Sequence, residues 1–198
     1  LAISVEGETE EAFVKQVLAP HLSRFRKDVF TVLLRGNVSI ERASAEIQRL
    51  TRSNDYVATF YDLYGFKGAP SSKRVLEQAI TDAIPIRLRA KVIPHVQQYE
   101  FESLLFSSPD ILGNVLKLRT DENYESAVAW ATSVLSTFSG NAENINNSRL
   151  TAPSKRLETH TNYRKTTHGP RIAREIGLAA IRAKCAGFDS WLTRLEGL

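Results

Sequence analysis

Hydrophobic and polar positions change period repeatedly along the first hundred residues. Leu1-Ala-Ile-Ser-Val5 is a short apolar run closed by Glu6-Gly7, which predicts a buried strand. Ala12, Phe13, Val14, Val17 and Leu18 then recur at helical spacing, with Thr9 as the expected cap. Asp28 to Leu34 is a second strand-like run, ended by Arg35-Gly36-Asn37, and Ile40 to Leu50 is helical behind Ser39. Tyr56 to Tyr61 predicts a third strand that runs directly into Asp62. Ser71 or Ser72 opens a helix through Val75, Leu76, Ala79 and Ile80. Lys91 to Val96 predicts a fourth strand, which Pro94 pushes toward an edge or an irregular path. Strands alternating with helices over short connections predict an α/β fold, a mainly parallel sheet flanked by helices.

The second half changes character. Phe101 to Phe106 begins a helix, and Asp110 to Leu118, Tyr124 to Phe138 and Arg171 to Ala186 read as further helices. Gly140 to Ser148 is a polar, Asn-rich loop, and Phe188, Trp191, Leu192 and Leu195 form a last apolar stripe. The expected organisation is an α/β core over residues 1–107 and a helical C-terminal elaboration over 108–198, packed together as one unit.

Composition narrows the class. The chain has 198 residues, 42% of them hydrophobic, enough for a core, and no apolar run approaches the length of a membrane span. The single cysteine, Cys185, excludes an internal disulfide and a cysteine-based zinc cluster, and it reads as a small core residue. A cytoplasmic bacterial-type enzyme or binding protein fits these features. The sequence has no methionine, not even at its start. We expect a truncated beginning, and methionines dropped from the interior would slip helical spacings by one.

The net charge of +4 is modest, but its distribution is uneven. Arg149 to Lys184 holds nine Lys or Arg residues against two acids, Glu158 and Glu175. The acids suited to chemistry lie in the first half. Glu6 and Asp62 each end a predicted strand, and Glu100 and Glu102 follow the fourth. Parallel strands would set all these ends on one edge of the sheet, where ligands bind in open α/β folds. Glu10 lies four residues past Glu6 and can converge with it, whereas Glu8 and Glu11 read as surface residues complementing the helix dipole. Clustered carboxylates need a cation, and Mg²⁺ or Mn²⁺ takes such oxygen ligands and supports displacement at phosphorus. Lys155, Arg156, Tyr163, Arg164, Lys165 and His168 form a basic constellation that either contacts phosphates or holds the C-terminal helices to the acidic edge. His168 before Gly169-Pro170 places an anion-favouring helix start at Arg171. His95 reads as structural and His21 as helix-end surface. No Walker A loop, dinucleotide fingerprint or nucleophile elbow is present.

Val5-Glu6-Gly7-Glu8-Thr9-Glu10 resembles the first motif of TOPRIM domains, the catalytic fold of topoisomerases, DnaG-type primases and overcoming-lysogenisation-defect nucleases. The likeness is closest to that nuclease branch and to a small stand-alone bacterial family related to it. That family shares Tyr61-Asp62-Leu-Tyr-Gly65-Phe66, Tyr99-Glu100-Phe-Glu102-Ser-Leu-Leu-Phe106, Ala152-Pro-Ser-Lys155-Arg156-Leu and Tyr163-Arg-Lys165-Thr-Thr-His168-Gly169-Pro170. The TOPRIM likeness covers roughly the first half of the chain and the small-family likeness nearly all of it. It implies a TOPRIM-like, Rossmann-like fold, Glu6 as metal ligand or general acid/base, Glu10 as the second glutamate of the nuclease branch, and Asp62 as the first aspartate of an Asp-x-Asp pair. Tyr64 stands where the second aspartate belongs, and Glu102, or else Glu100, is the candidate replacement. The implied activity is Mg²⁺- or Mn²⁺-dependent cleavage of DNA or RNA, possible in phage defence beside a separate ATPase. The alternatives are a non-catalytic module binding nucleic acid or an ATPase, and a phosphoryl-transfer enzyme acting on a small phosphate ester.

Overall fold

The computed structural model describes residues 1–35, 37–67, 72–120 and 123–198. Gly36 and Ser71 lie outside the described residues. Two compact units make up the chain. The first contains Leu1–Gln97 together with Ser190–Leu198, and the second Gln98–Asp189.

The first unit is built on a parallel sheet. Strands β1 (Ala2–Val5), β2 (Phe30–Leu33), β3 (Val57–Asp62) and β4 (Val92–Ile93) lie in the order β2-β1-β3-β4, and β5 (Val96–Gln97) also pairs with β3. All of these strand pairs are parallel. β1 and β3 are buried at every residue, as expected for inner strands of a sheet covered on both faces. The Ser4, Thr59 and Tyr61 hydroxyls on these strands are satisfied. Tyr61 Oη donates to Ser4 Oγ at 2.7 Å. Thr59 Oγ1 accepts from the His95 N–H at 2.8 Å and donates to the His95 carbonyl at 2.9 Å. This hydroxyl bridges the point where Pro94, lacking an N–H, splits the fourth strand into β4 and β5.

The first helical run begins two residues earlier than the capping argument predicts. α1 (Glu8–Phe13) has Gly7 as its N-cap, so Thr9 sits inside the first turn and is buried. Gly7 has no side chain to cap with, and the Glu10 carboxylate reaches back to its N–H at 3.0 Å, one half of a capping box. The run continues through a π-helical turn, Val14–Leu18, into α2 (Ala19–Leu22). The wider π turn precedes Pro20, which has no N–H to donate. α3 (Ile40–Leu50) has the predicted limits and its Ser39 cap, and it buries Ala43, Ile47 and Leu50. α4 (Lys73–Asp82) is capped by Ser72 and buries Leu76 and Ile80. A short α5 (Ile86–Arg89), not legible from periodicity, precedes β4. No helix among the described residues is long and apolar enough to cross a membrane.

The second unit is helical. The predicted helix at Phe101 is a seven-residue 3₁₀ segment, Phe101–Ser107, buried throughout. α6 (Pro109–Val115) and α7 (Ala127–Thr137) have Ser108 and Ser126 caps. They approach closely at Gly113, where a Cβ would lie 2.4 Å from the Val128 backbone nitrogen. α8 (Pro153–His160) was hidden by its low hydrophobicity. α9 (Lys165–Lys184) starts six residues before the predicted Arg171 and is interrupted at Gly177, which has a φ of 75°. α10 (Ala186–Glu196) follows, and Phe188, Trp191, Leu192 and Leu195 are all buried. Its first N–H groups, those of Gly187 and Phe188, donate to the buried Glu143 carboxylate at 2.7 and 3.0 Å. A carboxylate at that position also opposes the helix dipole favourably.

Candidate functional site

The parallel register determines what meets at the carboxyl end of the sheet. Val5 pairs with Phe60, so Glu6 and Asp62 emerge from adjacent inner strands. The Asp62 N–H points at Glu6 Oε2 over a long 3.4 Å. Asp62 is buried and Glu6 half-buried. After β3 the chain makes a short 3₁₀ turn, Leu63–Gly65, which returns over Glu6. A Cβ on Gly65 would lie 2.1 Å from Glu6 Oε2 and 2.7 Å from Glu6 Cδ. The Glu6 carboxylate therefore rests against the bare backbone of Gly65, a position no other residue can occupy without moving it.

Glu10 Oε2 accepts from the N–H of Gly7, the residue after Glu6. Tyr64, at the position of the missing aspartate, is half-buried in the same turn. Glu6 and Asp62 thus bring two carboxylate-bearing residues to adjacent strand ends, with Glu10 in the first turn of α1. Among the described residues, no group of three or more His, Cys, Asp or Glu side chains is gathered as a ready metal site.

A family profile described as Domain of unknown function (DUF4276) matches residues 5–196. The chain belongs to the DUF4276 family. No curated protein and no solved structure matches it. The profile match spans both units of this DUF4276 chain, the strand-end acids as well as the basic helices.

The remaining candidate residues belong to the second unit, where most have local work. Glu102 is fully buried. Tyr163 Oη donates to its Oε1 at 3.2 Å, and Lys165 Nζ lies 3.5 Å from the same oxygen. Glu100 Oε2 accepts from the Ser154 N–H at 2.9 Å. Ser154 is in the first turn of α8, whose N-cap Ala152 offers no side-chain acceptor, so Glu100 caps that helix from a distant part of the sequence. Replacing Glu100 with alanine should cost about 1 kcal/mol of stability, the usual worth of a cap. Denaturant unfolding measures this, and a loss of metal affinity with unchanged stability would instead make Glu100 a ligand.

Lys155 pairs with Glu158 at 2.6 Å, which holds its ammonium above the usual range. Arg156 donates to the Thr151 carbonyl and lies over the Phe138 ring, 5.4 Å from its centroid. Burial lowers its pKa. Arg164 is exposed. His168 Nδ1 accepts from the Arg164 N–H at 2.9 Å, which fixes a neutral tautomer. Burial, with the charges of Arg164 and Arg171, keeps its pKa low. His168 therefore lies within the first turns of α9, and the anion-favouring helix start expected at Arg171 does not exist there.

His21, His95 and Cys185 also have local partners. His21 pairs with Glu196 at 2.6 Å and is no plain surface residue. Cys185 is buried against Ser107 Oγ, and burial pushes its thiol up to about 12, so it stays protonated and unreactive. His95 is wholly buried. Lys73 Nζ donates to its Nδ1 at 3.0 Å, and Gln97 Oε1 lies 3.2 Å from its Nε2. Sequence reasoning missed the roles of Gly65, Lys73 and Glu143. Only Gly65 left a signal, a glycine three residues beyond a strand-end acid.

Proposed function

We propose that this chain is a metal-dependent nucleic-acid phosphodiesterase whose first unit is TOPRIM-like. The observation that carries this reading is the pairing of Glu6 and Asp62 at the ends of adjacent parallel strands, with Gly65 kept bare against Glu6. Two carboxylates brought to adjacent strand ends supply the hard oxygen donors that a divalent cation takes. Glu6 and Asp62, with Glu10, would hold Mg²⁺ or Mn²⁺. When bound, the ion supplies charge stabilisation at a phosphodiester and lowers the pKa of a water. Glu6 would orient that water; within the second unit, the exposed Lys155 and Arg164 and the half-buried Lys165 are basic groups able to attract a polyanion. An ATPase partner and a role in phage defence follow from the sequence resemblance and belong to the same proposal.

Plasmid nicking with Mg²⁺ or Mn²⁺ tests the reading. Glu6→Gln and Asp62→Asn should each reduce cutting by at least about 100-fold, in line with removal of a residue acting in the transition state. Equal cutting by wild type and Glu6→Gln would remove the proposal. A second reading, a non-catalytic module that binds nucleic acid or an ATPase, is favoured by Tyr64 in place of an acid and by the engagement of Glu102 with Tyr163 and Lys165. Nucleic-acid binding that survives Glu6→Gln, without cutting by either protein, would select it.

A further inference from the structure

The loop after β2 borders the same strand ends, and its backbone is costly. The Leu34 N–H donates to the Val5 carbonyl at 2.9 Å, so Leu34 continues the ladder alongside Val5 and the next residue, Arg35, stands beside the Glu6 strand end. Arg35 has a φ of 50°, in the left-handed region. Such a conformation costs an ordinary residue about 1–2 kcal/mol. Among the described residues, four that are not glycine share it. Arg26 and Ser139 simply follow helix ends, where the left-handed turn closes the last carbonyls. Tyr99 precedes the 3₁₀ segment of the second unit. Arg35 follows a strand and terminates no helix.

The strained turn is held by a second arginine. The Arg42 guanidinium donates to three carbonyls of this one loop, those of Leu34 (2.9 Å), Arg35 (2.5 Å) and Asn37. Arg42 is thereby spent on the backbone. The Arg35 side chain is exposed, and among the described residues no acidic group forms an ion pair with it. Backbone strain retained under an unengaged cation, beside strand-end carboxylates, points to a task outside the fold itself.

We propose that Arg35 grips a phosphate of the nucleic-acid backbone at the Glu6–Asp62 site, with Arg42 as the clamp that presents it. This deepens the phosphodiesterase reading and rests on it. A guanidinium matches a phosphate bidentately, and adjoining carboxylates need such a counter-charge if a polyanion is to approach them.

The test measures binding of fluorescent DNA and RNA oligonucleotides to the full chain by anisotropy in Ca²⁺, over a salt series from about 50 to about 300 mM. Arg35→Asn should weaken binding by about 5- to 20-fold and lower the slope of log K against log salt by about one. Asparagine accepts the left-handed conformation, so the melting temperature should hold or rise. Arg35→Lys should recover part of the affinity. Arg87→Ala, an exposed change on α5 at the opposite border of the sheet, should leave the slope alone. Wild-type affinity and slope in Arg35→Asn would overturn this inference and leave the nuclease reading standing. An equal effect from Arg87→Ala, or a fall in melting temperature that Arg35→Lys does not correct, would overturn it as well. Failure of the wild type to bind any of the oligonucleotides would overturn both.

Discussion

Gly65→Ala is expected to abolish Mn²⁺ binding and plasmid cutting, by at least about 100-fold, while leaving the protein as stable as the wild type. The added Cβ overlaps the Glu6 carboxylate, 2.1 Å from one oxygen and 2.8 Å from the other. What it displaces is the far end of a half-buried, flexible side chain, so Glu6 can swing away at little cost to the fold. Gly65 is not among the positive-φ residues, and alanine narrows the unfolded ensemble, which contributes about 0.4–1 kcal/mol in its favour. Function and stability therefore part company, because a shift of about 1 Å in a reacting group can cost 100-fold in rate. Gly113→Ala gives the contrast. Its Cβ would lie 2.4 Å from the Val128 backbone nitrogen and 2.5 Å from its Cα, and backbone cannot swing aside. That variant should lose about 1–3 kcal/mol through overpacking between α6 and α7 and keep its metal affinity. Mn²⁺ titration and thermal melting of the two variants decide the matter. Retained Mn²⁺ affinity in Gly65→Ala would mean that the Glu6 carboxylate has no part in holding a metal.

The strand ends were legible because a buried parallel strand leaves an unambiguous mark. β1 and β3 are continuous apolar runs, and each stops on an acid that a core cannot take unaided. α3 was legible for the same local reason, a capping serine followed by apolar residues at helical spacing. The contact that makes Gly65 indispensable was not, since it joins residues 59 positions apart through a turn whose path no local pattern dictates. The alternation of strand and helix foretold a parallel sheet, while Pro94 foretold the break in its fourth strand but not the Thr59 hydroxyl that repairs it.

In the second unit local pattern failed more often, for a consistent reason. Two helix starts there are satisfied from far away in the sequence. Glu100 caps α8 and Glu143 caps α10, so neither helix start carries its own signal of the usual serine or aspartate kind. α9 shows the opposite error. Gly169-Pro170 reads as a helix start, yet the preceding turn is already helical, and the true interruption is Gly177, whose positive φ an isolated glycine does not advertise. The basic constellation has the same ambiguity in space as in sequence, for Lys155 and Lys165 each have an acidic neighbour while Arg164 remains exposed. The final apolar stripe was read correctly as buried, but its destination was not foreseen, because Ser190–Leu198 completes the first unit rather than the second.

Trp191→Ala should therefore destabilise the first unit by about 3–5 kcal/mol, the range for deleting a large buried aromatic. Trp191 is 3% exposed and stacks on His95 at 4.7 Å and on Phe60 at 5.4 Å, and these two rings stack on each other at 5.5 Å. The same change should alter the pH dependence of stability. His95 is held well below its usual pKa of 6.5, first by burial and then by the charge of Lys73, which also pairs with Glu77 at 2.8 Å. With the folded-state pKa depressed, the unfolded chain binds the extra proton. Stability from this group is complete above pH 6.5 and is lost as pH falls from there toward the folded-state value, by about 1.4 kcal/mol per pH unit. His168 shifts in the same direction and contributes to the same window. Removing the indole admits water to the His95 ring and raises its pKa part of the way toward the ordinary value, the charge of Lys73 remaining, so the His95 part of the slope should shrink while the His168 part persists. Denaturant unfolding of wild type and Trp191→Ala at about pH 5, 6 and 7.5 measures both effects, provided the variant remains folded at the start of each titration. Should it fail to fold, Trp191→Phe keeps most of the packing and must retain most of the slope. A Trp191→Ala protein with the wild-type slope, or one destabilised by less than about 1 kcal/mol, would show that the stacked rings are not what shields His95.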